Sequence, residues 1–351
     1  MFFRINKAQP AVWRDPNTIQ IGLHENSVVI PELSLAQQQI IDALYSGVVD
    51  GQQIALDENF NTSKGTTADL ITKLSSVLES KETVSNSYGP WQQLAFAELA
   101  RAALDYQVNP EMVLAERWQR VVHIEQLDKG GALLTKSLLA SGIGKVVTHD
   151  DGKVLNTDLS ELGFAKQDLG NSRFQTLKKQ LSTEEHIDSR FLNLNLKSNN
   201  LQKISFAVIV GHLATRPSTY LRWLNRDVPH LNINFDLHLT QISPIVIPGV
   251  TACLNCLAEY KVDDDPAWPV IASQLIDLPR TRDDSASLLT ATGLALRSIL
   301  RELDQAAGFK VANDIEQEYR SGYQVDYATG NVSRTKFKFH ELCNCKILDQ
   351  V

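Results

Sequence analysis

The four cysteines of this 351-residue chain stand in two close pairs. Two residues separate Cys253 from Cys256, and one residue separates Cys343 from Cys345. Thiolates at such spacings can turn toward one tetrahedral centre, and the second pair completes the four ligands of a structural zinc ion. We therefore predict a closed Zn²⁺ site that leaves no coordination position for a substrate. The alternative interpretation is two unrelated pairs of buried thiols.

A glycine-containing turn between Gln126 and Leu133 is a second candidate for chemistry. Nucleotide-binding turns of the Gly-x-Gly-x-x-Gly type bring backbone close to a phosphate, and here only Gly130 and Gly131 remain of that pattern. Asp128 stands at the mouth of the turn, where a carboxylate would repel a phosphate from the helix N-terminus. The pattern therefore favours a nucleotide-binding type of fold in which nucleotide binding itself is weakened.

The elements that would carry these residues alternate between strand and helix from Arg120 onward. Strands are predicted for 121–126, 145–151, 205–211 and 233–239, and helices for 132–141, 217–224 and 286–307. This alternation predicts an α/β fold with a parallel, doubly wound, Rossmann-like sheet. Asp150 follows the second strand, where an acidic residue commonly binds a ribose hydroxyl. A β-hairpin is predicted from 323–327 and 332–339.

The first 82 residues have a different pattern, with short strands before helices. Thr18–Leu23 and Ser27–Ile30 are predicted strands joined by a turn at 24–26, and Ser34 is a candidate N-cap for a helix that ends at Gly47. A later helix, Thr67–Leu78, carries one apolar stripe. We expect a winged-helix unit in 1–82, a linker with connecting helices in 83–119, and the α/β domain in 120–351.

The composition excludes several classes of protein. The chain is 43% hydrophobic, and 34 basic against 41 acidic side chains give a net charge of −7. An acidic chain has no overall electrostatic attraction to nucleic acid or anionic lipid. Its apolar stretches are too short or too broken for a membrane span, and its N-terminus is unlike a signal peptide. We expect a cytoplasmic protein with neither a nucleic-acid nor a membrane partner.

Several of these motifs together resemble a known fold family. The run 130–151, the segment Gly170-Asn-Ser-Arg173 and the two cysteine pairs resemble the ThiF-like fold of ubiquitin-activating-type adenylating proteins. The segment 244–275 contains Pro-Gly-x-Thr-x-Cys-Leu-x-Cys-Leu and Asp-Pro-Ala-Trp-Pro. With 11–33, it is similar to the divergent ThiF-like proteins of thiazole/oxazole-modified microcin gene clusters, which bind precursor leader peptides or partner a cyclodehydratase. The resemblance covers nearly the whole chain.

The resemblance implies a function in the biosynthesis of ribosomally made, modified peptides. In that family the winged-helix module recognises the precursor peptide, and the ATP-using cyclisation belongs to a YcaO-type cyclodehydratase partner. An extended leader would add a strand to the edge of the strand formed by Ser27, Val28, Val29 and Ile30. Its side chains would enter a groove whose candidate residues are Leu70, Leu74 and Leu78, although the same leucines could form the module's own core. Relatives often dimerise, so a homodimer is a further expectation.

Departures from the active adenylating relatives weaken the nucleotide site. Those relatives carry Asn-Leu-x-Arg after the second strand; here Asn156 remains, an acid or a serine takes the arginine position, and Arg173 stands in place of a later lysine. Phosphoryl chemistry depends on cations that stabilise the phosphate oxygens. We therefore expect neither ATP chemistry nor a catalytic residue, and describe Gly130, Gly131, Asp150, Asn156 and Arg173 as a degenerate nucleotide site.

Two other functions stay open at this point. One is an active ATP-dependent ThiF-like enzyme that adenylates a peptide. The other is a winged-helix transcription regulator, which needs basic side chains on its recognition helix. The stretch Thr67–Ser80 offers only Lys73 against Asp69 and Glu79.

Overall fold

The computed structural model of the protein divides into two units, residues 1–116 with 309–314, and residues 117–308 with 315–351. It describes residues 2–6, 8–23, 27–49, 51–80, 95–106, 108–182, 189–194, 204–276, 278, 283–310 and 320–346. The predicted turn at 24–26 and the polar linker at 83–89 lie outside the described residues. The three-part division at 82 and 119 stays a prediction.

Two small antiparallel sheets and three helices make up most of the first unit. The strands are β1 Phe2–Ile5, β2 Ala11–Asp15, β3 Thr18–Ile21, β4 Val28–Ile30, β5 Val48–Val49 and β6 Leu78–Ser80. The strand orders are β5-β1-β6 and β2-β3-β4, so β4 is an edge strand. The helices are α1 Leu35–Ser46, α2 Gln53–Asn59 and α3 Thr66–Lys73, followed by α4 Phe96–Tyr106 and α5 Pro110–Gln119.

The helix boundaries of this unit follow local capping chemistry. The Ser34 hydroxyl accepts a hydrogen bond from the Gln37 amide, and the Gln37 side chain accepts one from the Ser34 amide, which confirms the predicted N-cap. The predicted helix Thr67–Leu78 is too long. Helix α3 ends at Lys73, a 3₁₀ turn covers Ser75–Val77, and Leu78 already belongs to β6.

An eight-stranded mixed sheet forms the centre of the second unit. Its strands are β7 Val121–Ile124, β8 Lys145–Thr148, β9 Phe191–Asn193, β10 Phe206–His212, β11 His230–Phe235, β12 Leu239–Ile242, β13 Gly322–Asp326 and β14 Val332–Thr335. The order is β14-β13-β12-β11-β10-β7-β8-β9. Strands β7 to β11 are parallel, and β12 to β14 add antiparallel pairs at one side. The predicted parallel sheet is therefore extended by the predicted hairpin.

Helices cover both faces of this sheet. They are α6 Lys129–Ala140, α7 Arg173–Leu181, α8 Pro217–Leu224, α9 Leu254–Asp264, α10 Trp268–Leu275 and α11 Ser285–Ala306. One core contains side chains of α6, α7 and α11, and the other contains side chains of α8 and α9. With both faces covered, the first five residues of β10 are all buried, which explains its continuous apolar sequence.

The direction of the chain along this sheet locates a site. Strand order proceeds from β7 to one side through β8 and β9, and to the other through β10 and β11. Ligands of doubly wound sheets bind where the order reverses, at the carboxyl ends of the strands. The turn after β7, the end of β8 and the end of β10 meet at that point. In the described parts of the chain, none of the helices is both long and apolar enough to cross a membrane.

Candidate functional site

The four cysteines lie together, as the spacing predicts. Cys253 caps the N-terminus of α9, Cys256 lies in its first turn, and the other pair follows β14. The Sγ atoms of Cys253 and Cys256 are 3.9 Å apart, those of Cys253 and Cys343 are 3.6 Å apart, and those of Cys256 and Cys345 are 3.4 Å apart. A tetrahedral zinc ion with bonds of about 2.3 Å places its sulfurs about 3.8 Å apart. The residues therefore fit a closed zinc centre.

Neighbouring polar groups support this centre. The Asn255 side-chain amide lies 3.6 Å from the sulfur of Cys343 and can donate a hydrogen bond to a thiolate there. His340 lies close in sequence, but its Nε2 is 2.9 Å from a carboxylate oxygen of Asp263, and its Nδ1 accepts from the Leu342 amide. The histidine is thus engaged beside the cysteines, and the donor set is four thiolates.

The turn after β7 is closed by its own side chains. Asp128 caps α6: its Oδ1 accepts from the Gly131 amide at 2.9 Å, and its Oδ2 lies 2.8 Å from His212 Nε2 at the end of β10. Helix α6 therefore begins at Lys129, and Gly130 and Gly131 lie inside its first turn, earlier than the predicted start at 132. The carboxylate predicted to repel phosphate occupies a helix amide that a phosphate would use.

Gly131 has a packing role at this turn. A Cβ atom on Gly131 would lie 1.9 Å from the carbonyl oxygen of Gln126, so the helix can approach the strand end only with glycine here. The requirement comes from close approach of helix to backbone rather than from a phosphate.

Asp150 and Arg173, two residues of the degenerate nucleotide site, both bind protein groups. Asp150 accepts from the Leu127 amide at 2.6 Å and from the Gly152 amide at 2.7 Å. Arg173 donates from Nε and Nη2 to one oxygen of Asp158, at 2.8 and 2.7 Å, and lies 3.6 Å from Asp150. Arg173 is 4% exposed and therefore holds a loop inside the fold.

The remaining groups of the degenerate nucleotide site do not supply a phosphate clamp. Lys129 donates from Nζ to the Asp283 carbonyl at 2.5 Å. Asn156 begins a 3₁₀ turn and is exposed. Lys129 and Arg173, the two cations beside the turn, are thus bound to carbonyl or carboxylate oxygens of the protein. Neither is directed at a position where it would stabilise a phosphate.

A buried polar cluster that the sequence analysis missed lies at the carboxyl ends of β7 and β8. His123 Nε2 is 2.9 Å from His149 Nδ1, and Glu125 Oε2 is 3.5 Å from the Nδ1 atoms of both histidines. Arg222 of α8 donates to Glu125 Oε1 at 3.0 Å. The cluster could have been found from polar side chains that end two adjacent parallel strands.

Burial sets the charge of this cluster. It raises the pKa of Glu125 to about 7, although Arg222 opposes the shift. Burial also holds the pKa of His123 well below its usual value and lowers that of His149, with the Arg222 charge acting in the same direction. Both shifts favour the neutral form of the imidazoles.

A cavity of about 520 Å³ opens between β11 to β13 and helices α9 and α10. Its lining combines aromatic rings with side-chain amides, including Tyr220, Asn232, Asn234, Gln241, Tyr260 and Trp268. The Asn234 Oδ1 atom is buried and has no hydrogen-bond partner among the described residues. Such a lining suits a ligand that carries both apolar and amide groups. From the sequence, Trp268 is interpreted as a packing residue, and no pattern in the sequence indicated this cavity.

The predicted peptide-binding residues divide into two sets. Ser27 and Val28 are half-buried, Val29 is 39% exposed, and Ile30 is buried. Strand β4 pairs with β3 on one side, and no strand pairs with its other side in the described part of the chain.

The leucines predicted to line a groove lie in or against the core of the first unit. Leu70 and Leu74 are 1% and 0% exposed and belong to the core of the first unit, and Leu78 packs against that core from β6. Leu70 and Leu74 therefore follow the alternative that the sequence left open, a place in the core of the first unit, and the peptide groove stays a prediction.

No protein-family model and no curated protein sequence matches the chain. Among solved structures, the chain is similar to E. coli MccB with ATP, at 14% identity and a TM-score of 0.68, over 99% of this chain and 100% of that one. It is similar to the microcin C7 biosynthetic enzyme MccB in complex with N-formylated MccA, at 15% identity and a TM-score of 0.66, over 98% and 99%. It is also similar to PaaA, at 12% identity and a TM-score of 0.65, over 94% and 98%.

These likenesses extend over nearly the full length of each chain. At such identities they show the fold, which agrees with the predicted mixed α/β, Rossmann-like architecture. The winged-helix assignment of the first unit stays a prediction.

Proposed function

We propose that the protein binds the leader of a ribosomally made precursor peptide and presents it to a YcaO-type cyclodehydratase for azoline or azole formation. The observation that carries the proposal is the edge strand β4, which bonds to β3 on one side only within the described residues. An extended peptide gains main-chain hydrogen bonds by pairing with such an edge. The structural likeness to MccB in complex with N-formylated MccA supports a function in peptide biosynthesis.

The proposed leader site consists of the β4 edge and the half-exposed side chains beside it. Val29 presents an apolar side chain of 39% exposure, and Val28 is half-buried next to it. Alternate leader residues would contact these side chains, while Leu70 and Leu74 support the strand from the core. Affinity then depends on backbone pairing, and specificity on a small number of apolar contacts.

The proposal assigns no ATP chemistry to this chain. Asp128 occupies the Gly131 amide in the first turn of α6, and Arg173 is neutralised by Asp158 and Asp150 inside the fold. Phosphoryl-type reactions need cations and amide donors directed at the phosphate oxygens. The second unit instead serves as a platform for the partner enzyme, so tethering raises the concentration of the core peptide at the partner's active site. The centre of four cysteine thiolates holds structural zinc in this platform.

The test uses proline substitutions on the edge strand. Successive residues of an antiparallel edge strand direct their N–H groups alternately toward and away from the paired neighbour. Of Val28→Pro and Val29→Pro, one therefore removes a bond to β3 and lowers the melting temperature. The other removes an outward N–H and leaves the fold intact. The folded variant should lose about tenfold in affinity for the leader, the worth of roughly one hydrogen bond.

The first step is to search the neighbouring genes for a short Cys/Ser/Thr-rich precursor peptide; the probe is then its labelled leader, titrated by fluorescence anisotropy. The matched control is a pair of proline substitutions on the other edge strand of this sheet, Val12→Pro and Trp13→Pro in β2. Whichever of these two variants stays folded should bind the leader with the affinity of wild type. Equal leader affinity for the β4 and β2 variants would overturn the proposed site. Binding of the leader to neither variant nor wild type would overturn the proposed function.

A second candidate is an ATP-dependent enzyme that adenylates a peptide, and the full-length likeness to MccB solved with ATP favours it. In that case purified protein and peptide would catalyse ATP–pyrophosphate exchange, and Asp150→Asn would abolish it. We expect no exchange above a peptide-free control.

A further inference from the structure

The cluster of His123, Glu125 and His149 has the donor set of a metal site. Two imidazole nitrogens and one carboxylate oxygen, taken one from each residue, all lie within 4.8 Å of one another. Two imidazoles and a carboxylate are the ligands that zinc and similar divalent transition metals accept. The cluster shares no residue with the four cysteines.

Two of its polar atoms lack partners where partners are required. His123 Nδ1 and Glu125 Oε2 are buried and make no hydrogen bond to any described residue. A buried polar atom without a hydrogen-bond partner costs about 1–3 kcal/mol, so each such atom requires an explanation, and a bound ion is one. The two atoms lie 3.5 Å from each other.

We propose that His123, Glu125 and His149 bind one divalent transition-metal ion, such as zinc, at the carboxyl ends of β7 and β8. With bonds of about 2.1 Å, a tetrahedral ion sets its ligand atoms about 3.4 Å apart. The separation of Glu125 Oε2 from His149 Nδ1 is 3.5 Å, close to that value. The unpartnered His123 Nδ1 lies 3.5 Å from Glu125 Oε2 and is the ligand atom of that ring. The hydrogen bond between His123 Nε2 and His149 Nδ1 is given up when His149 ligates through Nδ1.

Arg222 orients the carboxylate in this site. It donates to Glu125 Oε1 at 3.0 Å, which leaves Oε2 directed at the histidines. Its Nη1 also lies 3.3 Å from His149 Nε2. When His149 ligates through Nδ1, its Nε2 carries the proton, so the longer contact with Arg222 Nη1 is lost, while the same Nη1 keeps its shorter bond to Glu125 Oε1.

Three protein ligands leave a fourth position of the ion for a water molecule or a small ligand. His149 is 25% exposed, so the ion is accessible from the solvent side of the strand ends. The imidazole donors favour zinc, cobalt or nickel over magnesium and calcium, which prefer oxygen ligands. The site thus differs in chemistry from the closed centre of four thiolates.

The test is a cobalt titration of the metal-free full chain. Cobalt bound by four thiolates shows sulfur-to-metal charge-transfer bands, whereas cobalt bound by histidine and carboxylate shows only weaker ligand-field bands. Wild type should bind two ions per chain, one of each kind. His149→Gln and Glu125→Gln should each lower the affinity for the second ion by more than about 100-fold. Mutation of residues that only hydrogen-bond to the ligands already lowers metal affinity 10–100-fold.

The control is His238→Gln, which changes an exposed histidine outside the cluster and should keep both ions. The thiolate bands report in the same sample whether each variant is folded. X-ray absorption of the wild-type chain with two cobalt ions gives a second readout, in which nitrogen and oxygen neighbours must accompany the sulfur shell. The proposal would be overturned if wild type bound a single ion. It would also be overturned if His149→Gln and Glu125→Gln bound the second ion with unchanged affinity.

Discussion

Arg173, a cation of the candidate phosphate site, is bound to carboxylates of the protein itself. Its guanidinium makes two hydrogen bonds to Asp158; Arg173 is 4% exposed and Asp158 is 1% exposed. Breaking a buried ion pair from one side leaves an uncompensated charge, which costs about 3–5 kcal/mol. Arg173→Ala should therefore lower the free energy of unfolding by that amount in a urea titration.

Lys166→Ala provides the control, because Lys166 is an exposed basic residue on the same segment. It should change stability by less than about 0.5 kcal/mol. If Arg173→Ala were equally harmless, the guanidinium would be available for a ligand, and one of the two observations against ATP binding would no longer hold.

At the scale of elements, Gly131 and Gly293 are glycines in helices with opposite surroundings. A Cβ on Gly131 would lie 1.9 Å from the Gln126 carbonyl oxygen, while a Cβ on Gly293 in α11 would meet nothing within 4 Å. Gly131→Ala must shift α6 away from β7 and should cost at least about 3 kcal/mol, at the upper end of overpacking. Gly293→Ala should stabilise the protein by about 0.5–1 kcal/mol, since alanine favours a helix interior.

Thermal and urea unfolding of the two variants measure this difference directly. Destabilisation by Gly293→Ala, or tolerance of Gly131→Ala, would contradict the packing of α6 on the strand end. The unfolding experiment contains no nucleotide, so a loss of stability in Gly131→Ala reports the packing of Gly131 and not an effect on phosphate binding.

The elements were predictable where periodicity and capping agree. The Ser34 cap, strand β10 and helix α11 follow from hydrophilic caps and apolar patterns that are local in sequence. Helix α3 was predicted too long because Leu74, Val77 and Leu78 continue the helical spacing of apolar residues, although they leave the helix and enter the core as a 3₁₀ turn and a strand. Tertiary packing determines where such a helix ends, and the local pattern of apolar residues carries no information about that packing.

The candidate sites show the same limit. The cysteine pairs indicate a metal centre from sequence alone, because two close pairs of thiols supply a complete tetrahedral ligand set. His123, Glu125 and His149 gave no such signal, since their proximity depends on the pairing of β7 with β8. The roles of Asp128 and Arg173 depend likewise on partners, His212 and Asp158, that only the fold brings near.

At the scale of the whole molecule, the cysteines join distant parts of the second unit. Cys253 and Cys343 are 90 residues apart in sequence, and their sulfurs are 3.6 Å apart. An ion that binds the folded but not the unfolded chain stabilises the folded chain by mass action. Zinc should therefore hold the segment after β14 against the start of α9.

Cys345→Ser tests this clip on a position that is only partly buried. The variant should bind zinc more weakly, and amide hydrogen exchange should quicken in 336–346 and at the start of α9 while β10 and α11 stay protected, because local opening follows the lost contacts. Ser182→Ala, a surface change away from the cysteines, is the control and should leave zinc content and exchange unchanged. Uniform exchange across the unit in Cys345→Ser would mean that the ion supports the whole fold. An unchanged zinc content would show that the four thiolates are not the ligands.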